Sequence, residues 1–356
     1  MKIQSLFEFY LLNVIVQPLA GFNDKLPFKS KTVPQSTTTV VGRLFEDVII
    51  PCSFKIGPGI VIHWMKGQKY LHSFFKGSDY LKNQDSIYKN RTSLFFNEIN
   101  NGNASLKLRR LNLQDEGVYK CYISTKDSWK CINISLKLGG FITPAIEYQE
   151  QNRVDYLTCY LFGAYPSPNI TWIKNNTTNL ESNIEVSSSP PFSVKSQLNI
   201  IDSNSSYQCI IENSVLDQRW TGKWKIEGTL LTTEGKKALL PCEFKNKDFL
   251  LQKNINVSWY RVENASSTIL ASFSSSSRRM VFDSRFHWTQ DMKHEKNDFS
   301  LTLTFPTQSD SGKYLCNISS IDSTELMIQF LTVVYRIRRS ISYPRFVPAN
   351  QEEITA

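Results

Sequence analysis

Apolar and polar residues alternate in short runs along this chain. In Ile60-Val-Ile62-His-Trp64-Met-Lys66, every second residue shares a face, so Ile62 and Trp64 point inward while His63 and Met65 point out. The same reading of Tyr119-Lys-Cys121-Tyr-Ile123 buries Cys121 and turns Lys120 and Tyr122 to solvent. Turn residues gather at Gly139-Gly140 and around Glu227-Gly228, where linkers are expected. No apolar run reaches the ~18–20 residues that cross a bilayer, so no membrane anchor is expected in this sequence.

The cysteines organise these strands. Seven occur, at 52, 121, 131, 159, 209, 242 and 316. None lie at C-x-x-C spacing and the four histidines form no H-E-x-x-H, so a metal site is not expected. Three separations stand out: 69 residues for Cys52-Cys121, 50 for Cys159-Cys209 and 74 for Cys242-Cys316. A tryptophan follows the first cysteine of each pair (Trp64, Trp172, Trp259), and a tyrosine stands two residues before the second (Tyr119, Tyr207, Tyr314). A disulfide joining two sheets, a tryptophan packed on it and a tyrosine closing a corner are the marks of an immunoglobulin sandwich. The expected fold is all-β: three tandem immunoglobulin-like β-sandwiches, variable-type, constant-type and variable-type, at 36–138, 142–226 and 229–335.

The variable character of the outer two rests on longer cysteine separations, on Asp-x-Gly-x-Tyr-x-Cys elements at 115–121 and 310–316, and on Arg91 and Arg285. Salt bridges Arg91-Asp115 and Arg285-Asp310 are expected. The middle domain lacks the Asp-x-Gly element and reads Tyr165-Pro166-Ser-Pro168 between its cysteine and tryptophan, where a cis Tyr165–Pro166 bond is plausible.

Composition narrows function. Lys plus Arg is 41 and Asp plus Glu is 32, a net charge of +9. The basic clusters at 109–110, 278–279 and 336–339 are too short to track a phosphate backbone, and no nucleic-acid motif accompanies them. Met1-Lys2, a mostly apolar 6–16 and small Ala20-Gly21 predict a signal peptide over 1–21. Ten Asn-x-Ser/Thr sequons, at Asn90, Asn103, Asn133, Asn169, Asn175, Asn176, Asn204, Asn256, Asn264 and Asn317, predict a glycosylated surface or secreted protein. Asn175 and Asn176 overlap, so one of the two is expected to be used. No nucleophile elbow, phosphate loop or catalytic dyad appears, so neither an enzyme nor a cofactor is expected.

Several stretches carry a family resemblance: Gly42-Arg-Leu-Phe-Glu-Asp-Val-Ile-Ile, Val61-Ile-His-Trp, His72-Ser-Phe-Phe-Lys-Gly-Ser-Asp, Asn90-Arg-Thr-Ser-Leu-Phe-Phe-Asn-Glu-Ile, Trp220-Thr-Gly-Lys-Trp and Ser309-Asp-Ser-Gly-Lys-Tyr-Leu-Cys. On these the chain resembles the B-seven and butyrophilin group of immunoglobulin ligands. The resemblance implies a ligand outside the plasma membrane that regulates T-cell and NK-cell activation by costimulation or coinhibition. Its implied partners are immunoglobulin-family receptors on lymphocytes, a CD28-like receptor and a killer-cell immunoglobulin-like receptor. It also implies that the front sheet of the first domain meets the receptor. The candidates there are His63 and Met65, Lys120 and Tyr122, His72 and Phe74 near the next strand, and Trp129 on the following turn. Of Phe74 and its neighbour Phe75, one must face inward. Sequons Asn103 and Asn133 are expected to mark regions outside the contact.

Two departures from the family stand out. A membrane helix is implied after the third domain, but the sequence there reads Tyr335-Arg-Ile-Arg-Arg-Ser-Ile-Ser-Tyr-Pro, a tail over 336–356 without one. A soluble splice form and a gene-model error both fit that expectation. Cys131 has no place in the domain pattern, and a capped thiol and an intermolecular disulfide dimer both remain open. A soluble decoy of the same receptors and a homophilic adhesion protein stand as alternative functions.

Overall fold

The computed structural model describes residues 38–152, 154–175, 177–178, 180–243, 254–263, 266–275, 279–289 and 298–335. The expected signal peptide 1–21, the tail 336–356 and the sequons at Asn176 and Asn264 lie outside the described residues.

In the first domain, strands Thr38–Arg43, Val61–Lys66, Lys69–Phe75, Gly117–Ser124 and the start of Trp129–Gln151 form the front sheet. Val48–Ile50, Leu106–Leu108 and Thr92–Leu94 form the opposing one. The Cys52–Cys121 disulfide bridges the two. Trp64, fully buried, donates its indole N–H to the Ala104 carbonyl at 2.8 Å. Tyr119 donates its hydroxyl to the Asp115 carbonyl at 2.6 Å and closes the corner.

The third domain repeats this wiring. Cys242 is bonded to Cys316, Trp259 donates to the Phe299 carbonyl at 2.9 Å, and Tyr314 donates to the Asp310 carbonyl at 2.8 Å. The middle domain joins Cys159 to Cys209 and buries Trp172. Without an Asp-x-Gly corner, Tyr207 instead accepts a hydrogen bond from the Asp202 backbone N–H at 3.1 Å. The Tyr165–Pro166 peptide is cis, as is Pro190–Pro191.

An arginine closes the floor of each variable domain. Arg91 donates through Nη1 to Asp115 Oδ1 at 3.2 Å and through Nη2 to Oδ2. Arg285 reaches both oxygens of Asp310 at 2.9 and 3.0 Å. Both aspartates are buried, and each also caps a short 3-10 turn.

The expected linkers are not loops. Trp129–Gln151 runs unbroken through Gly139-Gly140, pairing first with the first domain and then with strand Val154–Tyr165 of the second. Gln218–Thr233 likewise runs through Gly228, where φ is +141° and the register shifts by one residue. Glycine serves there by adopting a backbone angle that side chains disfavour, not by breaking the strand.

Gln218–Thr233 also pairs in parallel with Ser323–Val334 over most of its length, from Thr221 opposite Ser323 to Thr233 opposite Val334. The front sheets of the second and third domains are therefore one nine-stranded sheet. The outer face of the third domain's front sheet packs on the second domain. Leu315, Leu326 and Ile328 join a core with Ile146, Tyr148 and Trp224. Each such buried aliphatic side chain contributes about 1.5–3 kcal/mol relative to exposure. Beside them, Lys313 pairs with Glu150 at 2.6 Å and with Asp155 at 3.5 Å. Burial alone would lower the Lys313 pKa, but its bonds to Glu150 and Tyr148 outweigh that and hold it above the usual lysine range.

Candidate receptor-binding face

Directly opposed residues on neighbouring strands share a face, so the register of the first domain's front sheet defines its outer surface. One row is Val61, Ser124 and Trp129. The next is His63, Tyr122 and Cys131, and the third is Met65, Lys120 and Asn133. Five of the seven candidates, His63, Met65, Lys120, Tyr122 and Trp129, therefore stand on one surface. Trp129 is 77% exposed at the end of the first row, and the other four are half-buried. A tryptophan, a tyrosine, a methionine and a lysine on one surface suit a protein contact, where large side chains bury much area for few lost rotamers.

Partial burial has a chemical effect on this face. His63 holds Ser73 Oγ at 2.8 Å through Nδ1 and meets Tyr70 edge-on at 5.7 Å. Desolvation lowers its pKa from the ordinary histidine value, which favours the neutral ring. Tyr122 is shifted upward, first by desolvation and then by its hydrogen bond with Cys131.

Two candidates are corrected. His72 lies opposite Trp64 and Phe74 opposite Ile62, so both turn to the core with those partners. A bulge between Trp64 and Met65 sets this phase, because the extra residue Leu71 breaks the simple alternation. His72 is 2% exposed, with Nδ1 at 3.0 Å from Thr92 Oγ1. Its Nε2 lies 3.1 Å from Asp79 Oδ1, without hydrogen-bond geometry. Phe74 packs against Phe96 at a ring separation of 6.1 Å.

Asn133, whose sequon was expected to mark a region outside the contact, stands opposite Lys120 on the candidate face. Asn103 lies outside the front sheet, and its side-chain oxygen accepts the Ser105 N–H at 2.9 Å. Asn90, Asn169, Asn175, Asn204 and Asn256 are exposed, whereas Asn317 is half-buried on the face turned to the second domain.

Cys131 was missed as a member of the face. The signal was available: Trp129, Cys131 and Asn133 are spaced by two, so an outward Trp129 carries Cys131 outward. Its thiol is free and half-buried. Among the described residues, no three metal-ligating side chains come together, and no helix is long and apolar enough to cross a membrane.

The third domain has the same positions with other residues. Tyr260, Leu315 and Ile328 stand where the first domain has Met65, Lys120 and Asn133, and Asn317 and Leu326 stand where it has Tyr122 and Cys131. The apolar version is covered by the second domain. The mixed version is open.

Comparison with known proteins agrees with this layout. The family "Immunoglobulin V-set domain" matches residues 32–134 and 226–334, and "Butyrophilin subfamily 3 member A2-like, Ig-C domain" matches 139–221. Human HERV-H LTR-associating protein 2 is 42% identical over 337 residues, covering 94% of this chain and 81% of that protein. Human V-set domain-containing T-cell activation inhibitor 1 is 30% identical over 199 residues, covering 52% of this chain and 70% of that one. Among solved structures, bovine butyrophilin aligns with a TM-score of 0.43 at 20% identity, covering 51% of this chain and 92% of that one.

Proposed function

The chain belongs to the B-seven and butyrophilin group of immunoglobulin-domain proteins, and from that membership we propose that it is an extracellular ligand that regulates T-cell and NK-cell activation by presenting its first domain to immunoglobulin-family receptors on lymphocytes. The observation that carries this reading is the contrast between the two variable domains. The front sheet of the third is covered by the second domain, while that of the first offers Trp129, Tyr122, Met65 and Lys120 on one open surface. Relatives named for T-cell activation, such as human T-lymphocyte activation antigen CD80 at 29% identity over 176 residues, support the lymphocyte as the target. A CD28-like receptor and a killer-cell immunoglobulin-like receptor are the proposed partners.

Contact of this kind works between cells by multivalency. One domain bound weakly becomes an effective tether when many copies face many receptors. The sign of the signal belongs to the receptor's own tail.

The test is functional. Lymphocytes stimulated through their antigen receptor on plates coated with residues 22–335 should change in proliferation and cytokine output. A Lys120→Glu and Tyr122→Asp double variant with an unchanged melting temperature should lose the effect. An equal effect from the variant overturns the proposed face.

A further inference from the structure

The second-domain end of strand Trp129–Gln151 and strands Asn256–Glu263 and Gly312–Ser319 of the third domain line a crevice of about 510 Å³. That volume lies in the range of pockets that hold small organic ligands. Asn317 projects into it from the middle of its strand, with Ser258 and Leu326 as its neighbours on either side. Its side-chain oxygen is buried and has no hydrogen-bond partner. With strands on both flanks and the second domain opposite, anything attached to this side chain must pass through the crevice.

The walls have the chemistry that carbohydrate needs. Tyr156 and Tyr260 offer aromatic surface to the C–H faces of a sugar ring, and Glu147, Gln149, Glu263 and Ser267 offer partners to its hydroxyls. Glu147, Gln149, Glu263 and Ser267 are exposed, so the mouth opens to solvent. Asn317-Ile318-Ser319 is itself an acceptor sequon for N-linked glycan.

We infer that the crevice is the seat of an N-linked oligosaccharide carried by Asn317, whose first sugars fill the space between the second and third domains. In the attachment step, Asn317 Nδ2 bonds to the anomeric carbon of a lipid diphosphate-linked oligosaccharide. The carbon–oxygen bond to the diphosphate breaks, and the amide gives up one proton. Attachment precedes docking of the domains, which then close around the inner sugars.

The experiment uses the whole chain secreted from animal cells, with exposed Asn256 on the adjoining strand as internal control. Glycopeptide mass spectrometry reads occupancy, and release by a peptide-N-glycanase is followed on native and denatured protein. The expected result is an occupied Asn317 whose glycan leaves the native protein at least about tenfold more slowly than that of Asn256, with equal rates after denaturation. Tyr156→Ala should narrow the native difference by removing one wall. An unmodified Asn317, native release as fast as at Asn256, or a ratio unmoved by Tyr156→Ala overturns the inference.

Discussion

Lys313 of the third domain donates a hydrogen bond to Glu150 of the second at 2.6 Å, with both side chains about four-fifths withdrawn from solvent. This bond lies beside the apolar contact made by Leu315, Leu326 and Ile328 and ties the third domain to the second. A charge left alone there would be partly desolvated and unpaired.

The first prediction follows. Lys313→Met should weaken the union of the second and third domains by about 1.5–3 kcal/mol, the worth of a hydrogen bond to a charged group. Scanning calorimetry should record one shared transition for these domains in the parent chain and two resolved ones in the variant. Two transitions already present in the parent would argue against a single unit.

In the first domain, the Arg91–Asp115 bridge is more deeply buried. Asp115 is 1% exposed and also accepts the Asn112 backbone N–H at 2.8 Å. Asp115→Ala strands the guanidinium and should cost about 3–5 kcal/mol. Urea unfolding of the first domain, followed by hydrogen exchange of its backbone amides, should show this as a lower midpoint at unchanged slope. Because the first domain has its own buried core, the shared transition of the second and third domains should not move.

The histidine on the candidate face should make stability depend on pH. Burial holds His63 below its ordinary value of 6.5. The unfolded chain then binds a proton, between the folded value and about 6.5, that the folded chain does not. Stability of the first domain should therefore be level above about pH 6.5 and fall as pH drops below it. Melting curves at pH 7.5 and 5.5 should separate in the parent and draw together in His63→Gln. An equal separation in both would place the effect elsewhere.

Cys131 bears on the same surface. A bridge between two copies through this half-buried thiol would cover Tyr122, its direct neighbour. The chain should therefore run as a monomer on non-reducing gels, and Cys131→Ser should bind cells as the parent does. A covalent dimer that still binds lymphocytes would contradict the proposed face.

Much of this architecture is written locally. The spacing of Cys, Trp and Tyr is enough to place three sandwiches, because Cys, Trp, Tyr and Cys recur three times in that order, with the tyrosine always two residues before the second cysteine. Alternation is enough for Lys120, Tyr122, His63 and Met65, which lie on regular strands. It fails at His72 and Phe74, where the bulge shifts the phase by one residue and turns both inward.

The docking of the third domain on the second was also legible, but only as a departure from the repeat. Leu326-Met-Ile328-Gln-Phe330-Leu331 is apolar on both faces where the matching first-domain strand alternates. A strand apolar on both faces is one that is covered on both faces. What covers it cannot be read from a one-dimensional pattern, since Ile146, Tyr148 and Trp224, which pack on it, lie far away in the chain. The unbroken strands through Gly139-Gly140 and Gly228 were hidden for a related reason: glycine signals a change of backbone angle, and a strand can absorb one.

On the proposed reading, the open front sheet of the first domain meets a lymphocyte receptor. The most direct test stains resting and activated lymphocytes with residues 22–335 as a tetramer, beside a Tyr122→Asp and Met65→Asp double variant that melts as the parent does. The parent should stain brightly and the variant should not. Equal staining by both would contradict that reading.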